Sequence, residues 1–358
     1  MIRTARRVAG FGTTVFSEFS ALAQQHGAIN LGQGFPDFEG PEEIREAAVH
    51  ALRNGVNQYA MGAGAPELRR AIAEHSRRFY GMDVDPDTMV TVTSGATEAI
   101  FDTIVGLIDP GDEVVLFEPF YDSYDASVTM AGGVPRHVPL RPPDAAHPSW
   151  WFDEAELRAA FTPRTRLLVL NTPHNPTGKV FTLEELTLIG ELCERHEVNV
   201  LSDEVYEHIA FAPARHVRPA TLPAFANRTV TVSSAGKSFS FTGWKIGWIV
   251  APPELRRAVQ SAHQFITFAS AAPLQAAVAH ALRMPDGYFA RLQADYTRKR
   301  DRLVAALAES GLRPFVPDGT YFAMADLSPL GFDDDFAFCR FLTTEVGVAA
   351  IPPSAFYS

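Results

Sequence analysis

Three polar segments lie in order in the middle of the chain, and their side chains could do chemistry together. They are NTPHNPTGK at 171–179, LSDEVYEH at 201–208 and SSAGKSFSFTGWK at 233–245. They supply an amide, a carboxylate, a phenol, a lysine amine, a hydroxyl and a second cation. A lysine amine forms an imine with an aldehyde, while the other groups can hold and tune an aromatic ring that carries a phosphate. The ordered set predicts a site for pyridoxal phosphate.

The reactive end of that site is predicted from four residues. Lys237 is the candidate nucleophile, because burial in a Ser/Gly/Phe-rich loop would lower the pKa of its amine and free it for imine formation. Asp203 is the candidate partner of the pyridine nitrogen, which it would keep protonated. Tyr206 and Asn175 could hydrogen-bond the ring hydroxyl oxygen. Taken alone, Asp203 would be a turn cap and Asn175 part of an Asn-Pro turn.

The phosphate has candidate ligands of its own. TSGATEAI at 93–100 follows a predicted strand and opens a predicted helix, so its amides can face an anion at a helix N-terminus. Ser234 and Lys245 lie close to Lys237 in the sequence and add a hydroxyl and a cation. Tyr121 follows another strand and could stack on the ring. The helix-start amides belong to Gly95, Ala96 and Thr97.

The elements that must position these residues alternate along the chain. The predicted strands are 89–93, 113–118, 134–140, 166–171, 198–203, 229–234 and 246–251, and the helices between them lie near 96–108, 121–131, 153–161 and 182–196. Such alternation predicts an α/β fold with a mostly parallel sheet covered on both faces. Ligands bind such sheets at the carboxyl ends of strands, where Asn171, Asp203 and Ser234 are predicted.

The pattern changes at about residue 253, where long helices precede short strands. The predicted helices are 253–266, 273–283 and 286–309, followed by strands near 313–316 and 321–326 and a helix near 333–345. We therefore predict a large cofactor-binding domain at 45–252. The segments 1–44 and 253–358 would form a smaller α+β domain.

Composition narrows the class of protein. The 358 residues are 46% hydrophobic and 20% charged, which is typical of a globular protein. A formal net charge of −11 gives no general support to nucleic-acid binding. The sequence contains no run of 18 apolar residues, so no membrane span is predicted, and no signal peptide is evident. The eleven histidines lack zinc-site spacing, so we expect no metal. A cytoplasmic protein with no nucleic-acid or membrane partner is predicted.

The chain resembles the fold-type I pyridoxal-phosphate aminotransferases, in the branch that includes kynurenine, glutamine–phenylpyruvate and methionine aminotransferases. The motifs that carry the resemblance are INLGQGFPDFEGP (29–41), NQYAMGAGAPELRRAI (57–72), TSGATEAIF, EPFYDSY, NTPHNPTGK, SDEVYEHI, SSAGKSFSFTGWKIGW, DGTYFAMAD (318–326) and GVAAIPPSAFY (347–357). The resemblance implies an aspartate aminotransferase-like fold and pyridoxal 5′-phosphate as cofactor. It also implies transfer of an amino group from an L-amino acid to a 2-oxo acid.

The resemblance also implies roles for single residues. The catalytic set would be Lys237 as the Schiff-base lysine, Asp203 and Tyr206, and the cofactor-binding set adds Gly95, Ala96, Tyr121, Asn175, Ser234 and Lys245. Tyr59 matches a tyrosine that reaches the phosphate of the partner subunit, which implies a homodimer with shared active sites. Gly34, Phe16 and Asn175 match positions beside the substrate. Phe268 matches an aromatic residue supplied across the interface.

One departure from the family concerns the substrate carboxylate. Family members hold it with an arginine beyond the GVAAIPPSAFY segment, and bidentate arginine suits a carboxylate. Here the sequence stops at Ser358, and Arg340 lies before that segment. Either the C-terminus is incomplete, or the clamp is lost and turnover suffers. We expect an incomplete C-terminus, because a small domain without its last strand and helix would leave apolar surface exposed.

Several functions share these motifs. An aminotransferase for aromatic, thioether or glutamine-like L-amino acids is favoured, since Phe16 and Phe268 suggest an apolar pocket. A cysteine-conjugate beta-lyase would use the same cofactor residues, and a succinyldiaminopimelate aminotransferase is a further alternative. A cofactor-binding regulator is disfavoured, because the chain has no room for a DNA-binding domain and no basic patch.

Overall fold

A seven-stranded sheet lies at the centre of the structure, a computed structural model that describes residues 4–55 and 57–358. The described residues contain eleven strands, of which seven form this sheet and four form two small sheets. In chain order they are β1 (Ile29–Asn30), β2 (Val90–Thr93), β3 (Glu113–Glu118), β4 (Val134–Pro139), β5 (Thr165–Asn171), β6 (Asn199–Asp203), β7 (Thr229–Ser234), β8 (Gly247–Val250), β9 (Arg313–Phe315), β10 (Met324–Asp326) and β11 (Val348–Ala349). The central sheet has the order β2-β8-β7-β6-β5-β3-β4. Strand β8 is antiparallel to both neighbours, and all other pairs in this sheet are parallel. The predicted strands of this sheet are confirmed to within one residue at each end.

Helices cover both faces of the sheet. In chain order, the α-helices of the described residues, some of which lie beside the smaller sheets instead, are α1 (Val15–His26), α2 (Glu42–Arg53), α3 (Pro66–Tyr80), α4 (Gly95–Leu107), α5 (Ser123–Ala131), α6 (Glu154–Ala160), α7 (Leu183–Arg195), α8 (Ala235–Ser238), α9 (Pro253–Ile266), α10 (Ala272–Leu282), α11 (Asp286–Glu309) and α12 (Asp335–Phe341). Local chemistry sets their ends: α7, for example, begins with a capping box between Thr182 and Glu185. Within the described residues, no helix is long and apolar enough to cross a membrane.

Two apolar layers hold the helices onto the sheet. Successive side chains of a strand point to opposite faces, so a fully buried strand is apolar on both sides. In β5, Leu167 and Val169 pack with α4 on one face, while Leu168 and Leu170 pack with α7 on the other. Both layers therefore rest on the same buried strands, and these strands end at the predicted site.

Helices α9 and α10 also pack against the central sheet. Val259 of α9 lies in the same apolar cluster as Ile249 of β8, and Val278 of α10 lies in a second cluster with Val90 and Trp248. The predicted domain boundary at residue 252 stays a prediction, but these contacts associate both helices with the large sheet.

The remaining elements form two small sheets. Strand β1 pairs in parallel with β11, and β9 pairs antiparallel with β10. Next to the first pair, Phe19 of α1 packs against Phe338 and Cys339 of α12 in a cluster of its own. N-terminal and C-terminal segments thus associate, while the bounds of the predicted smaller domain stay a prediction.

Candidate active site

Polar side chains meet at the carboxyl edge of the central sheet. Asn171, Asp203 and Ser234 end the adjacent strands β5, β6 and β7, and Asn171 is in register with Asp203. The Asn171 amide donates to the Asp203 carbonyl at 2.9 Å, and its oxygen accepts from the Asn175 backbone amide at 2.7 Å. Parallel strands thus place the three predicted segments side by side, and Asn171 ties two of them together.

A cavity of about 280 Å³ opens at this edge. The predicted site residues that line it are Phe16, Gly34, Gly95, Ala96, Thr97, Tyr121, Asn175, Asp203, Tyr206, Ser234, Lys237 and Lys245. Residues far apart in the sequence therefore share one cavity. Its lining in the described chain includes no arginine, and its only cationic side chains are those of Lys237 and Lys245.

Asp203 is a buried carboxylate beneath the cavity. Tyr124 of α5 donates its hydroxyl proton to Asp203 Oδ2 at 2.8 Å, and the Val205 backbone amide donates to Oδ1 at 3.2 Å. Burial raises the pKa of Asp203 to about 6, although these two hydrogen bonds and the charge of Lys237 act in the opposite direction. The carboxylate is thus held in place but only partly compensated.

Lys237 lies in the single turn of α8, directly after β7. Its Nζ donates to the Gly34 carbonyl at 2.9 Å and to the Tyr321 hydroxyl at 2.8 Å. Burial lowers the pKa of Lys237 to about 8, while Asp203 opposes this shift and Lys245 adds to it. More of this amine is neutral near pH 7 than in an exposed lysine, as a nucleophile requires.

The other end of the cavity is the N-terminus of α4. The Ser94 side chain caps none of the first-turn amides, so the amides of Ala96 and Thr97 are available to an anion. Lys245 Nζ lies 3.3 Å from Thr97 Oγ1 and brings a positive charge to the same place. Gly95 has a φ of +78°, which a glycine adopts readily.

A buried cluster of Glu98, Asp102 and His263 stabilises the N-terminus of α4. Glu98 accepts a hydrogen bond from the Ser94 backbone amide and lies 3.0 Å from His263 Nδ1 of α9. Asp102, one turn further along α4, lies 3.5 Å from the same nitrogen. Although burial opposes it, the two nearby carboxylates, Asp102 and the hydrogen-bonded Glu98, raise the pKa of His263 to about 9. The protonated imidazole thus joins α4 to α9 through two carboxylates.

Tyr59 and Phe268 lie outside this cavity. Tyr59 is 85% exposed and Phe268 is 49% exposed, and their rings meet edge to face with centroids 5.4 Å apart. The structure brings these two predicted residues together but not to the cavity of their own chain. Their predicted place in a partner's site stays a prediction.

Sequence reasoning missed several residues of the site. Tyr124, Asn171 and Tyr321 contact Asp203, Asn175 and Lys237, yet none was assigned a site role. Each lies within a quoted motif: EPFYDSY, NTPHNPTGK or DGTYFAMAD. The motifs therefore contain these residues, but only the fold shows which of the neighbouring aromatic and polar side chains contact the site.

The sequence matches the family model described as aminotransferase class I and II over residues 26–358. This chain belongs to the class I and II aminotransferases. Members of the family depend on pyridoxal 5′-phosphate, so the predicted cofactor and enzyme class are confirmed. The predicted aspartate aminotransferase-like fold is confirmed as well, since an aspartate aminotransferase of Thermus thermophilus superimposes with a TM-score of 0.90 at 34% identity, covering 99% of this chain and 93% of that one.

Several relatives are similar along nearly their whole length. A probable N-succinyldiaminopimelate aminotransferase of Mycobacterium tuberculosis is 50% identical over 353 residues, or 99% of this chain and 88% of the relative. A solved structure of that enzyme superimposes with a TM-score of 0.96 at 49% identity, covering 99% of this chain and 92% of the other. The methionine aminotransferase of Escherichia coli is 44% identical over 96% of this chain and 88% of its own length.

The residues at the cavity fit this cofactor. Asp203 is a buried acid with a raised pKa and suits a protonated ring nitrogen, while the partly neutral Lys237 amine suits an aldehyde. The helix-start amides and Lys245 suit a phosphate. The backbone of β8 comes unusually close to the first residues of α4. A Cβ on Gly247 of β8 would lie 2.5 Å from the Gly95 carbonyl carbon.

Gly247→Ala tests that close approach. The added methyl would also lie 2.7 Å from the Ala96 amide nitrogen, so β8 and the helix start must move apart. We expect the free energy of unfolding to fall by about 1–3 kcal/mol and cofactor affinity to fall at least about tenfold. Gly243→Ala is the matched control, because its Cβ would meet nothing within 4 Å. Equal cofactor affinity in the two variants would contradict the assignment of this cradle.

Asp203→Asn tests the buried charge through the pH dependence of stability. The folded-state pKa is about 6, above the ordinary value near 4, so the stability of the protonated form is lost as pH rises from about 4 to about 6. Above pH 6.5 the free energy of unfolding of the cofactor-free variant should exceed that of the cofactor-free wild type by about 2–3 kcal/mol, because the variant lacks the buried charge of the Asp203 carboxylate. Urea denaturation between pH 5 and pH 8 measures this, with the exposed Asp37→Asn as control. A constant difference across that range would exclude the raised pKa.

Proposed function

We propose that Lys237 binds the cofactor's aldehyde carbon, that Asp203 faces its ring nitrogen, and that Tyr206 and Asn175 face its ring hydroxyl oxygen. The shared cavity and the opposite pKa shifts of Asp203 and Lys237 support these roles. When bound, the cofactor supplies an electron sink for removal of the proton from the substrate's α carbon. The Lys237 amine, once free, is placed to accept and return that proton.

The same proposal assigns the phosphate end of the cavity. The amides of Gly95, Ala96 and Thr97, the hydroxyl of Ser234 and the ammonium of Lys245 would hold the phosphate. Tyr121 lines the cavity and would lie on the ring face. Backbone amides fixed by a helix and a strand cannot swing away, so the phosphate would anchor the reactive end.

For the amino donor, we favour an L-amino acid with an aromatic, thioether or glutamine-like side chain. Phe16, Phe35 and Phe322 line the cavity. Gly34 and Asn175, which are predicted to lie beside the substrate, line it as well. Among the described lining residues, both cations have cofactor roles in this proposal. Burying an additional carboxylate against these phenylalanine rings would cost free energy, whereas an aromatic or thioether side chain would not.

A second candidate donor is N-succinyldiaminopimelate, which carries such additional carboxylates. It is favoured by the 50% identity with the Mycobacterium tuberculosis relative, against 44% with the methionine aminotransferase. A panel of both donor types against 2-oxoglutarate and pyruvate distinguishes them by kcat/KM. Release of pyruvate and ammonia from a cysteine conjugate would instead favour the beta-lyase.

We also propose that the enzyme is a homodimer in the cytoplasm with shared active sites. Large apolar side chains are exposed close in sequence to Tyr59 and to its contact Phe268, namely Met61 at 59% and Phe265 at 84%. Such patches are typical of protein interfaces, and twofold dimers are the commonest homo-oligomers. Tyr59 and Phe268 would then complete the site of the partner subunit.

Covalent trapping tests the role of Lys237. Borohydride reduction of the cofactor-loaded protein should fix the cofactor to Lys237, and peptide mapping is decisive because the chain has only four lysines. Lys237→Ala should lose transamination by about 10²–10⁴-fold or more, since it removes both the attachment point and the proton carrier. Lys299→Ala, on an exposed part of α11, should behave as wild type. Cofactor trapped on another lysine would refute the assignment.

Hybrid dimers test the shared site. A dimer that pairs a Lys237→Ala protomer with a Tyr59→Ala protomer would keep one site with both residues intact. We expect it to recover about half the wild-type activity at limiting cofactor, while each parent dimer stays impaired. Activity no higher than that of the parents would show that Tyr59 acts only within its own subunit, or not at all.

A further inference from the structure

Tyr321, which the cofactor roles leave unassigned, contacts the reactive amine. It lies between β9 and β10, and its hydroxyl is 2.8 Å from Lys237 Nζ and 2.6 Å from the Gly34 carbonyl oxygen. Lys237 Nζ is itself 2.9 Å from that carbonyl oxygen. Three polar atoms therefore form a closed triangle at the cavity wall.

The directions of these hydrogen bonds follow from the donors available. The Gly34 carbonyl can only accept, so the single proton of the Tyr321 hydroxyl goes to Gly34. The hydroxyl oxygen is then left to accept from Lys237. Lys237 thus donates to two acceptors, which uses both N–H groups of a neutral amine. The lone pair of that amine must point away from the triangle.

The Tyr321 ring is held from several sides. It stacks on Tyr296 with centroids 5.8 Å apart and meets Tyr206 edge-on at 5.3 Å. Phe322 lies against it at 4.8 Å. Burial raises the pKa of Tyr321 above its ordinary value, so the hydroxyl keeps its proton at any working pH. The ring is therefore a rigid support for one acceptor oxygen.

We propose that Tyr321 and the Gly34 carbonyl hold the Lys237 amine whenever it is not bound to the cofactor, which makes Tyr321 a positioning residue for the reaction. This inference rests on the proposed role of Lys237. A lysine side chain has many rotamers, and displacement of a reacting group by about 1 Å can cost about a hundredfold in rate. With both N–H groups held at the wall, the lone pair is available to bind the aldehyde carbon or to accept a proton.

Tyr321→Phe tests the inference with little change in shape. We expect kcat to fall about tenfold or more, with KM for the amino donor changed less than about twofold, because the variant alters the amine and not the substrate contacts. In the cofactor-free protein, the rate at which Lys237 captures pyridoxal phosphate, followed by borohydride trapping, should fall by a similar factor. The amount captured at equilibrium should stay complete.

Tyr296→Phe is the matched control. Tyr296 is the stacking partner of Tyr321, and its buried hydroxyl has no hydrogen-bond partner in the described structure. It should retain wild-type kcat and capture rate. If Tyr321→Phe also retained both, the positioning role would be overturned, while the role of Lys237 would still stand on the trapped peptide. Loss of trapping at Lys237 in the wild-type protein would instead refute the proposed function itself.

A measurement on the unaltered protein covers the case in which Tyr321→Phe does not fold. With ¹⁵N-labelled lysine, the four side-chain signals of the cofactor-free protein can be assigned by substitution. The Lys237 Nζ protons should exchange with water at least about tenfold more slowly than those of the exposed Lys299. Equal exchange rates would overturn the inference, because a held amine cannot exchange freely.

Discussion

The buried carboxylate of Asp203 is the constraint on which the rest of the site depends. A charged group removed from water costs free energy unless it is hydrogen-bonded and paired. Tyr124 and the Val205 amide supply hydrogen bonds, but burial still raises the pKa to about 6. A protonated ring nitrogen would supply the missing charge, so the protein without cofactor holds an acid that the cofactor is needed to pair.

The sheet explains why the other groups lie around that carboxylate. Strands β5, β6 and β7 are adjacent and parallel, so their carboxyl ends lie at one edge of the sheet. Asn171 and Asp203 end two of these strands, and the segment that contains Lys237 follows the third. The cluster of Glu98, Asp102 and His263 fixes α4 against α9, which sets the distance from the helix-start amides to the same edge. With the proposed residue roles, rigid elements would thereby position both ends of the bound cofactor.

The strands, the cofactor segments and the cavity-lining residues within them could be predicted, because each is a local pattern at a predicted strand end. Asn171, which sequence reasoning missed, contacts Asn175 only four residues away, but the missed contacts of Tyr124 and Tyr321 are not local. Tyr124 reaches Asp203 across 79 residues, Tyr321 reaches Lys237 across 84, and Tyr321 reaches Gly34 across 287. The sequence shows that α9 is amphipathic and that α10 is apolar on most sides, but it does not show which sheet they cover. Only the packed structure places them.

The pKa of Asp203 with and without cofactor tests the central claim most directly. Carbon-13 NMR of the labelled carboxyl, assigned with Asp203→Asn, can follow its titration in both states. Without cofactor the pKa should be about 6, and with pyridoxal phosphate bound it should fall below the ordinary range near 4, because the ring nitrogen brings an opposite charge. An unchanged pKa on cofactor binding would mean that Asp203 does not face the ring nitrogen.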